Sequence, residues 1–291
     1  MEKPRLYGAC RMSASLTEDV PVETWSGKDQ GDENFPVSRI VRRKWRPHVN
    51  AYYAFARNAD DIADNPDLSA NEKISRLDLM EAVLLGHADH GSPTASRLRD
   101  SLAETGINRA HATDLLVAFR RDAIKHRYDS WDELIDYCRY SAMPVGRYML
   151  DLHGESRQTY PSSDALCASL QVLNHLQDCG KDLASLDRCY LPADILDANG
   201  ARIADLRRSS CSLPLRQVLD DLLNRTERLN VEAAPLPGLT ADRWLRVNVA
   251  IIHRLAERLA QRLRHGDPLA RRVKLRGIDI ALSLFQGLRA L

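Results

Sequence analysis

Residues 57–66 read RNADDIADNP, an arginine and three aspartates set among alanine and isoleucine. On a helix, residues four apart stand one turn above each other, so Asp60 and Asp64 share a face. No Lys or Arg follows at the next step of four to neutralise them. Such a face is either solvated or covered by something cationic. Pro47 and Pro66 bracket the stretch and predict a helix over 47–64.

A second stretch has the same character. In QVLNHLQDCGKD (171–182), Asn174, Asp178 and Asp182 step by four. Two Asp-x-x-x-Asp pairs on different helices could then face each other across a bundle. Two carboxylates about 6 Å apart repel by roughly 3 kcal/mol at an effective dielectric near 20, so facing pairs need a counter-charge. Oxygen-only ligands select hard cations, and Mg²⁺ held by a few carboxylates keeps positions open for phosphate oxygens. Spacing alone does not decide the matter. Asp132 and Asp136 in WDELIDY repeat it with no chemical company, and there a solvated face is the simpler reading. What sets the first two apart is context: Tyr52, Tyr53, Phe55 and Arg57 beside one, and Lys181 and Arg188 beside the other. Carboxylates next to cations suit a metal–diphosphate site.

The remaining chain bounds the function. Its 291 residues are 44% hydrophobic and 28% charged, the profile of a globular protein with a sizeable core. Lys plus Arg (41) almost cancels Asp plus Glu (40), which argues against nucleic acid as a partner. The six cysteines (10, 138, 167, 179, 189, 211) form no C-x-x-C pair and read as buried thiols of a reducing cytoplasm. His87 and His90 in GHADHGSP read as an exposed loop. No secretory leader and no apolar run long enough to span a membrane is seen.

Helix formers dominate, and apolar residues recur at helical spacing from Val37 onward. Helices are expected over 37–45, 47–64, 70–86, 92–105, 108–125, 130–154, 162–182, 192–196, 200–205, 210–231, 239–265 and 276–290, after a loose lead-in over 1–32. No strand pattern or repeat appears. The expected fold is all-α. One segment breaks its own rule: YCRYSAMPVGRYML (137–150) looks helical yet holds Pro144 and Gly146. An interior proline costs about 3 kcal/mol. The segment is either a packing kink or a bend where small residues let a ligand approach the backbone. At the end of the chain, RGIDIALSLFQGLRAL (276–291) places Ile278, Leu282, Phe285 and Leu288 roughly on one side. Core packing is the first reading, and contact with a membrane surface the second.

Three blocks, YAFARNADDIAD (53–64), YCRYSAMPVG (137–146) and NHLQDCGKDLASLDRCYLP (174–192), resemble the squalene/phytoene synthase family in order and separation. The resemblance covers about residues 30–290. It implies a single-domain class I isoprenoid synthase-like helical bundle around a central cavity, over residues 33–291. By position it implies Asp60, Asp61 and Asp64 as the first aspartate-rich motif and Asn174, Asp178 and Asp182 as the second, together binding Mg²⁺ and diphosphate. Metal ligands would be Asp60, Asp64, Asn174, Asp178 and Asp182. Arg57, Tyr53, Gln177, Lys181, Arg188 and Tyr190 would meet substrate, and Tyr137, Ala142 and Gly146 would line the cavity.

The departures carry information. Where relatives that join two prenyl diphosphates usually have arginine before the second motif's first aspartate, this chain has Gln177; where they usually have glutamate before the last, it has Lys181. ENFPV (33–37) replaces a serine-rich element. These features resemble the branch in bacterial hopanoid biosynthesis that takes presqualene diphosphate from a sister enzyme and turns it into hydroxysqualene. That resemblance implies capture of a carbocation by water, with Tyr137 or Asp61 handling the proton and no NADPH. No G-x-G-x-x-G fingerprint indicates a hydride donor. Two rival readings stand beside it: condensation of two prenyl diphosphates, and an inactive lipid-binding helical module. A cytoplasmic enzyme is expected, with contact to the inner face of the membrane left open.

Overall fold

The computed structural model describes residues 22–23 and 41–288, with side chains to residue 284. Its helices are α1 (Arg46–Asp64), α2 (Ala70–Leu85), α3 (Pro93–Thr105), α4 (Ala110–Ile124), α5 (Trp131–Ser141), α6 (Met143–Leu152), α7 (Tyr160–Leu186), α8 (Ala193–Ala198), α9 (Leu213–Ala233), α10 (Leu236–Leu239), α11 (Arg243–His265) and α12 (Gly277–Leu288). No strand lies among the described residues; one isolated bridge joins Arg127 and Cys189. The fold is all-α.

Local chemistry sets the boundaries. Ser69 and Glu72 form a reciprocal capping box that starts α2, and Gly86 ends it in the left-handed region (φ 82°). Ser92, Ser130 and Ser212 cap α3, α5 and α9 with their hydroxyls, and Asp242 caps α11. Arg262, Arg264 and His265 complement the dipole at the end of α11.

Several expectations need correction. Residues 41–45 form a bend and a turn, not a helix, and 37–40 lie outside the described residues, as does nearly all of the lead-in. The two described lead-in residues are held firmly. Val22 N–H donates to Gly91 O (3.0 Å), and the Glu23 carboxylate accepts from Thr94 N (2.6 Å) at the start of α3. The helix expected over 130–154 is two helices, broken at Ala142 (φ −128°, ψ −45°). Pro144 therefore sits in the first turn of α6, where its missing N–H costs nothing. The apolar residues of α12 are the sharpest reversal: Ile278, Ile280, Leu282 and Leu284 face outward, while Asp279 and Ser283 are buried.

Packing places two helices on opposite sides of the bundle. α1 lies against α2, α3 and α4, while α7 lies against α5, α6, α9 and α11. α4, α5 and α6 pack on one another and join the two groups. Phe55, Ile62, Leu77, Met80, Leu98, Leu115, Leu116, Tyr148 and Leu173 are fully buried along this core. Burying each of the aliphatic ones contributes about 1.5–3 kcal/mol. α1 and α7 carry the two acidic stretches. His87 and His90 lie in an exposed loop, and the described cysteines are all free thiols.

Candidate active site

The apolar positions Phe55, Ala59 and Ile62 of α1 are buried, and Arg57, Asp60 and Asp64 lie on the opposite side of the helix. Arg57 pairs with Asp60 (3.0 Å) and with Asp61, the latter through its other terminal nitrogen. Asp61 is nearly inaccessible, with a side chain only 4% exposed. Asp64 pairs with Arg188, which follows the end of α7 (2.5 Å).

Arg188 is buried and fully used. Its Nη2 donates to the carbonyls of Ala63 (3.0 Å) and Asp122 (2.8 Å), and its Nε donates to Asp122 O (3.2 Å). Burial alone would lower its pKa; Asp122, Tyr190 and Asp64 together push it up instead, so it stays a cation. The Asp122 carboxylate on α4 accepts from Tyr137 OH (2.8 Å) and Tyr190 OH (3.2 Å). His175 stacks on Tyr190 (centroids 3.6 Å, 15° between planes), with Tyr128 and Tyr137 completing an aromatic wall. Burial drives His175 down to about 3, leaving it a neutral ring, and holds Tyr137 and Tyr190 as neutral phenols.

On α7, Asp178 pairs with Arg272 (2.7 Å), from the loop between α11 and α12. Gln177 is buried, and its Nε2 donates to Val273 O of the same loop (2.5 Å). A side chain at Gly180 would strike Leu269 Cδ2 (2.8 Å), so the loop lies directly on this part of α7. Lys181 is exposed, and Asn174, Asp178 and Asp182 are partly buried.

The two motifs influence each other electrostatically. Burial first and Asp64 second raise Asp60 to about 8; burial, then Asp178, with a further contribution from Asp64, raises Asp182 to about 7. Asp122, buried, is raised to about 6. Carboxylates held this far up are short of positive charge. Their donors are all oxygen, which fits a hard divalent cation. As they stand, no three of the His, Cys, Asp or Glu groups among the described residues converge on one point. Asp64 and Asp178 are engaged by arginines, and a metal would have to take those partners' place.

Other expected residues sit as follows. Tyr53 is partly buried on α1. Ala142 is buried at the break between α5 and α6. Gly146 does not open space for a ligand: a Cβ there would lie 2.4 Å from Ser163 Oγ and 2.6 Å from Cys167 Sγ, so the missing side chain lets α6 press against α7. Asp136 pairs with Arg121 (2.8 Å) on the surface, and Asp132 is exposed in the first turn of α5. Asp122, His175, Tyr128 and Arg272 were not anticipated. Asp122 had a signal: it interrupts the buried row Leu115, Ala118, Asp122 on α4, where a lone carboxylate has no structural excuse.

An all-α bundle with two aspartate-bearing helices brought into electrostatic contact has the architecture of class I isoprenoid synthases. Residues 28–279 match the family model for squalene/phytoene synthase, and the chain belongs to that family of prenyl diphosphate-processing enzymes. It is 49% identical over 264 residues to a hydroxysqualene synthase of Rhodopseudomonas palustris, covering 90% of each chain. It is 47% identical over 280 residues to a hydroxysqualene synthase of Zymomonas mobilis, covering 92% of this chain and 93% of the other. Among solved structures, squalene synthase HpnC from Alicyclobacillus acidocaldarius superposes with a TM-score of 0.70 at 33% identity, over 79% of this chain and 86% of that one. A dehydrosqualene synthase shares the fold, with a TM-score of 0.77 at 21% identity over 89% and 92% of the two chains.

Proposed function

We propose that the chain is a hydroxysqualene synthase, a carbon–oxygen lyase that turns presqualene diphosphate and water into hydroxysqualene and diphosphate. The observation that carries the choice within the family is Gln177. It stands where condensing relatives usually have arginine, and its amide is spent inside the protein on the Val273 carbonyl. A site with one cation fewer at this position is poorly equipped for a second diphosphate. The two relatives near half identity over almost the whole chain support the same choice.

Asp60, Asp64, Asn174, Asp178 and Asp182 would hold Mg²⁺, which supplies charge neutralisation and polarisation of the diphosphate oxygens. Arg188 and Arg272, already on the carboxylates, add fixed positive charge for the departing diphosphate, with Lys181 at the rim. Arg57 holds Asp60 and Asp61 in place. The carbon–oxygen bond to diphosphate breaks, the cyclopropylcarbinyl cation rearranges, and water adds to carbon and loses a proton. The neutral aromatic wall of Tyr128, Tyr137, His175 and Tyr190 offers the cation π-faces and no strong nucleophile, which delays capture. Asp61, clamped by Arg57 and almost inaccessible, suits the proton poorly. The Tyr137–Asp122–Tyr190 network suits it better, because Asp122 is raised toward the operating range. No hydride donor enters the scheme. Delivery of substrate by a presqualene diphosphate synthase, and contact with the membrane where such lipids partition, belong to the same reading.

Presqualene diphosphate incubated in ¹⁸O-labelled water without NADPH should give hydroxysqualene labelled in its hydroxyl and unlabelled pyrophosphate. Unlabelled product excludes solvent capture. Squalene as the main product on adding NADPH moves the chain to the reductive reaction, and consumption of farnesyl diphosphate moves it to condensation.

A further inference from the structure

The outer surface of α12 is built the wrong way round for a helix facing water. A surface helix normally turns its apolar stripe inward and its polar residues out. Here Asp279 (5% exposed) and Ser283 (0%) point inward, while Ile278 (59%), Ile280 (45%), Leu282 (40%) and Leu284 (40%) point out. At 100° per residue, these four with Gly277 and Ala281 span an outward arc of roughly 200° that carries no polar side chain. The orientation is pinned. Asp279 Oδ2 accepts from Arg262 Nε (2.6 Å) and from the Arg276 backbone N–H (2.7 Å), so the helix cannot roll to hide its aliphatic residues without breaking a buried ion pair. Four clustered large aliphatics on a fixed surface mark an interaction site.

Charge indicates what lies against it. The chain as a whole is nearly neutral at +1, but residues 266–291 hold Arg271, Arg272, Lys274, Arg276 and Arg289 against Asp267 and Asp279 only. Both aspartates are already used: Asp267 accepts from the backbone of Cys211 and Leu269, and Asp279 pairs with Arg262. Arg271, Lys274 and Arg276 are exposed immediately before α12. A basic loop running into an apolar helix face fits a surface that is anionic at its boundary and apolar beneath. A second copy of this chain would set like charges against each other, which disfavours it. The same loop carries Arg272 to Asp178, so this surface adjoins the candidate site.

We propose that the outer face of α12, together with Arg271, Lys274 and Arg276, docks the protein on an anionic lipid bilayer. This gives the membrane contact of the proposed function a definite surface, and its test reads binding, so it stands or falls separately from the reaction. The full chain is sedimented with vesicles of phosphatidylcholine, with and without phosphatidylglycerol. Wild type should bind the phosphatidylglycerol vesicles about tenfold or more tightly than the neutral ones, and added salt should weaken that binding. Ile278→Glu with Leu282→Glu should lower vesicle affinity by about tenfold or more, leaving circular dichroism and pyrophosphate release from detergent-dispersed substrate unchanged. Arg271→Gln with Lys274→Gln should reduce binding to the level seen on neutral vesicles. Wild-type protein that ignores both vesicle types overturns the proposal, and self-association in light scattering would then assign the face to a second copy. Binding of the double glutamate variant at wild-type strength overturns it as well.

Discussion

Arg188, just beyond the end of α7, donates to Asp64 on α1 at 2.5 Å, so the segment after one acidic motif is tied directly to the other. The same guanidinium accounts for the carbonyls of Ala63 and Asp122. Replacing it with Gln leaves two buried carbonyls and the partly buried Asp64 carboxylate short of a partner, and takes a neighbouring positive charge from the buried Asp122. Each buried acceptor left without its donor costs about 1–3 kcal/mol. Arg188→Gln should therefore lower the melting temperature by several degrees, and Arg188→Lys, which keeps the charge but loses the fork, should fall between. A variant as stable as wild type would show that the ion pair is incidental.

Asp60→Asn, Asp64→Asn, Asp178→Asn and Asp182→Asn should each cut pyrophosphate release by roughly a hundredfold or more, as loss of a transition-state charge contact does elsewhere. Helical content should survive: Asp60 and Asp182 are raised carboxylates that lose an unfavourable buried charge, while Asp64→Asn and Asp178→Asn weaken one arginine pair each but keep an amide oxygen that can still accept. Asp132→Asn and Asp136→Asn, on the surface of α5, should leave turnover near wild type. Equal loss in both sets would mean that the assay reports folding and not chemistry.

The raised carboxylates set a pH dependence with a definite sign. Asp60 (about 8) and Asp182 (about 7) bind protons more tightly folded than unfolded. The metal-free chain should therefore gain stability as pH falls from about 8.5 to 6.5. Below that, His175, held down to about 3, works in the opposite direction, since only the unfolded chain protonates it. Mg²⁺ with pyrophosphate should reduce this slope and raise the melting temperature beyond either alone; saturation at 100 times Kd is worth about 2.7 kcal/mol. Thermal melts in chelator, at stepped pH, check the first statement. A melting temperature that falls between pH 8.5 and 6.5 contradicts it.

The acidic pairs on α1 and α7 were legible because helical spacing converts sequence separation into a shared face. Their mutual approach needed the resemblance, since Asp132 and Asp136 have identical spacing and end on the surface. Pro144 misled because a helix break two residues earlier, at Ala142, turns an interior position into a first-turn one. Asp122 and Arg272 could not be placed from spacing: each reaches the site from an element far away in sequence. The C-terminal helix was judged by its apolar content, but Asp279 and its arginine partner decide which side faces in.

Gly146 separates packing from ligand binding at the α5–α6 break. With Ser163 Oγ and Cys167 Sγ both within 2.6 Å of the place of a Cβ, Gly146→Ala requires these two side chains to turn away or α6 and α7 to move apart. Overpacking of this kind costs about 1–3 kcal/mol. The expected result is a lower melting temperature, and the double variant Gly146→Ala, Ser163→Gly should recover part of it. Unchanged stability with a raised KM would place the glycine against substrate instead.

Gln177 decides how the loop after α11 meets the second motif. Its amide is buried and donates to Val273 O, and the neighbouring Arg272 lies on Asp178. Gln177→Ala leaves a carbonyl without its donor, a penalty of about 1–3 kcal/mol when no water reaches it. The loop that carries Arg272 should loosen, so KM for presqualene diphosphate should rise more than kcat falls. Gln177→Arg is the informative counterpart. The longer side chain cannot occupy the amide's place without pushing Val273 away, so the arginine must either displace the loop or turn toward the acidic residues. In neither case should the variant condense farnesyl diphosphate, because the ENFPV segment still replaces the serine-rich element (33–37). Product analysis with farnesyl diphosphate, alongside pyrophosphate release from presqualene diphosphate, reads both outcomes. Presqualene diphosphate formed by Gln177→Arg would make this one position the switch between the two reactions, and the loop contact secondary.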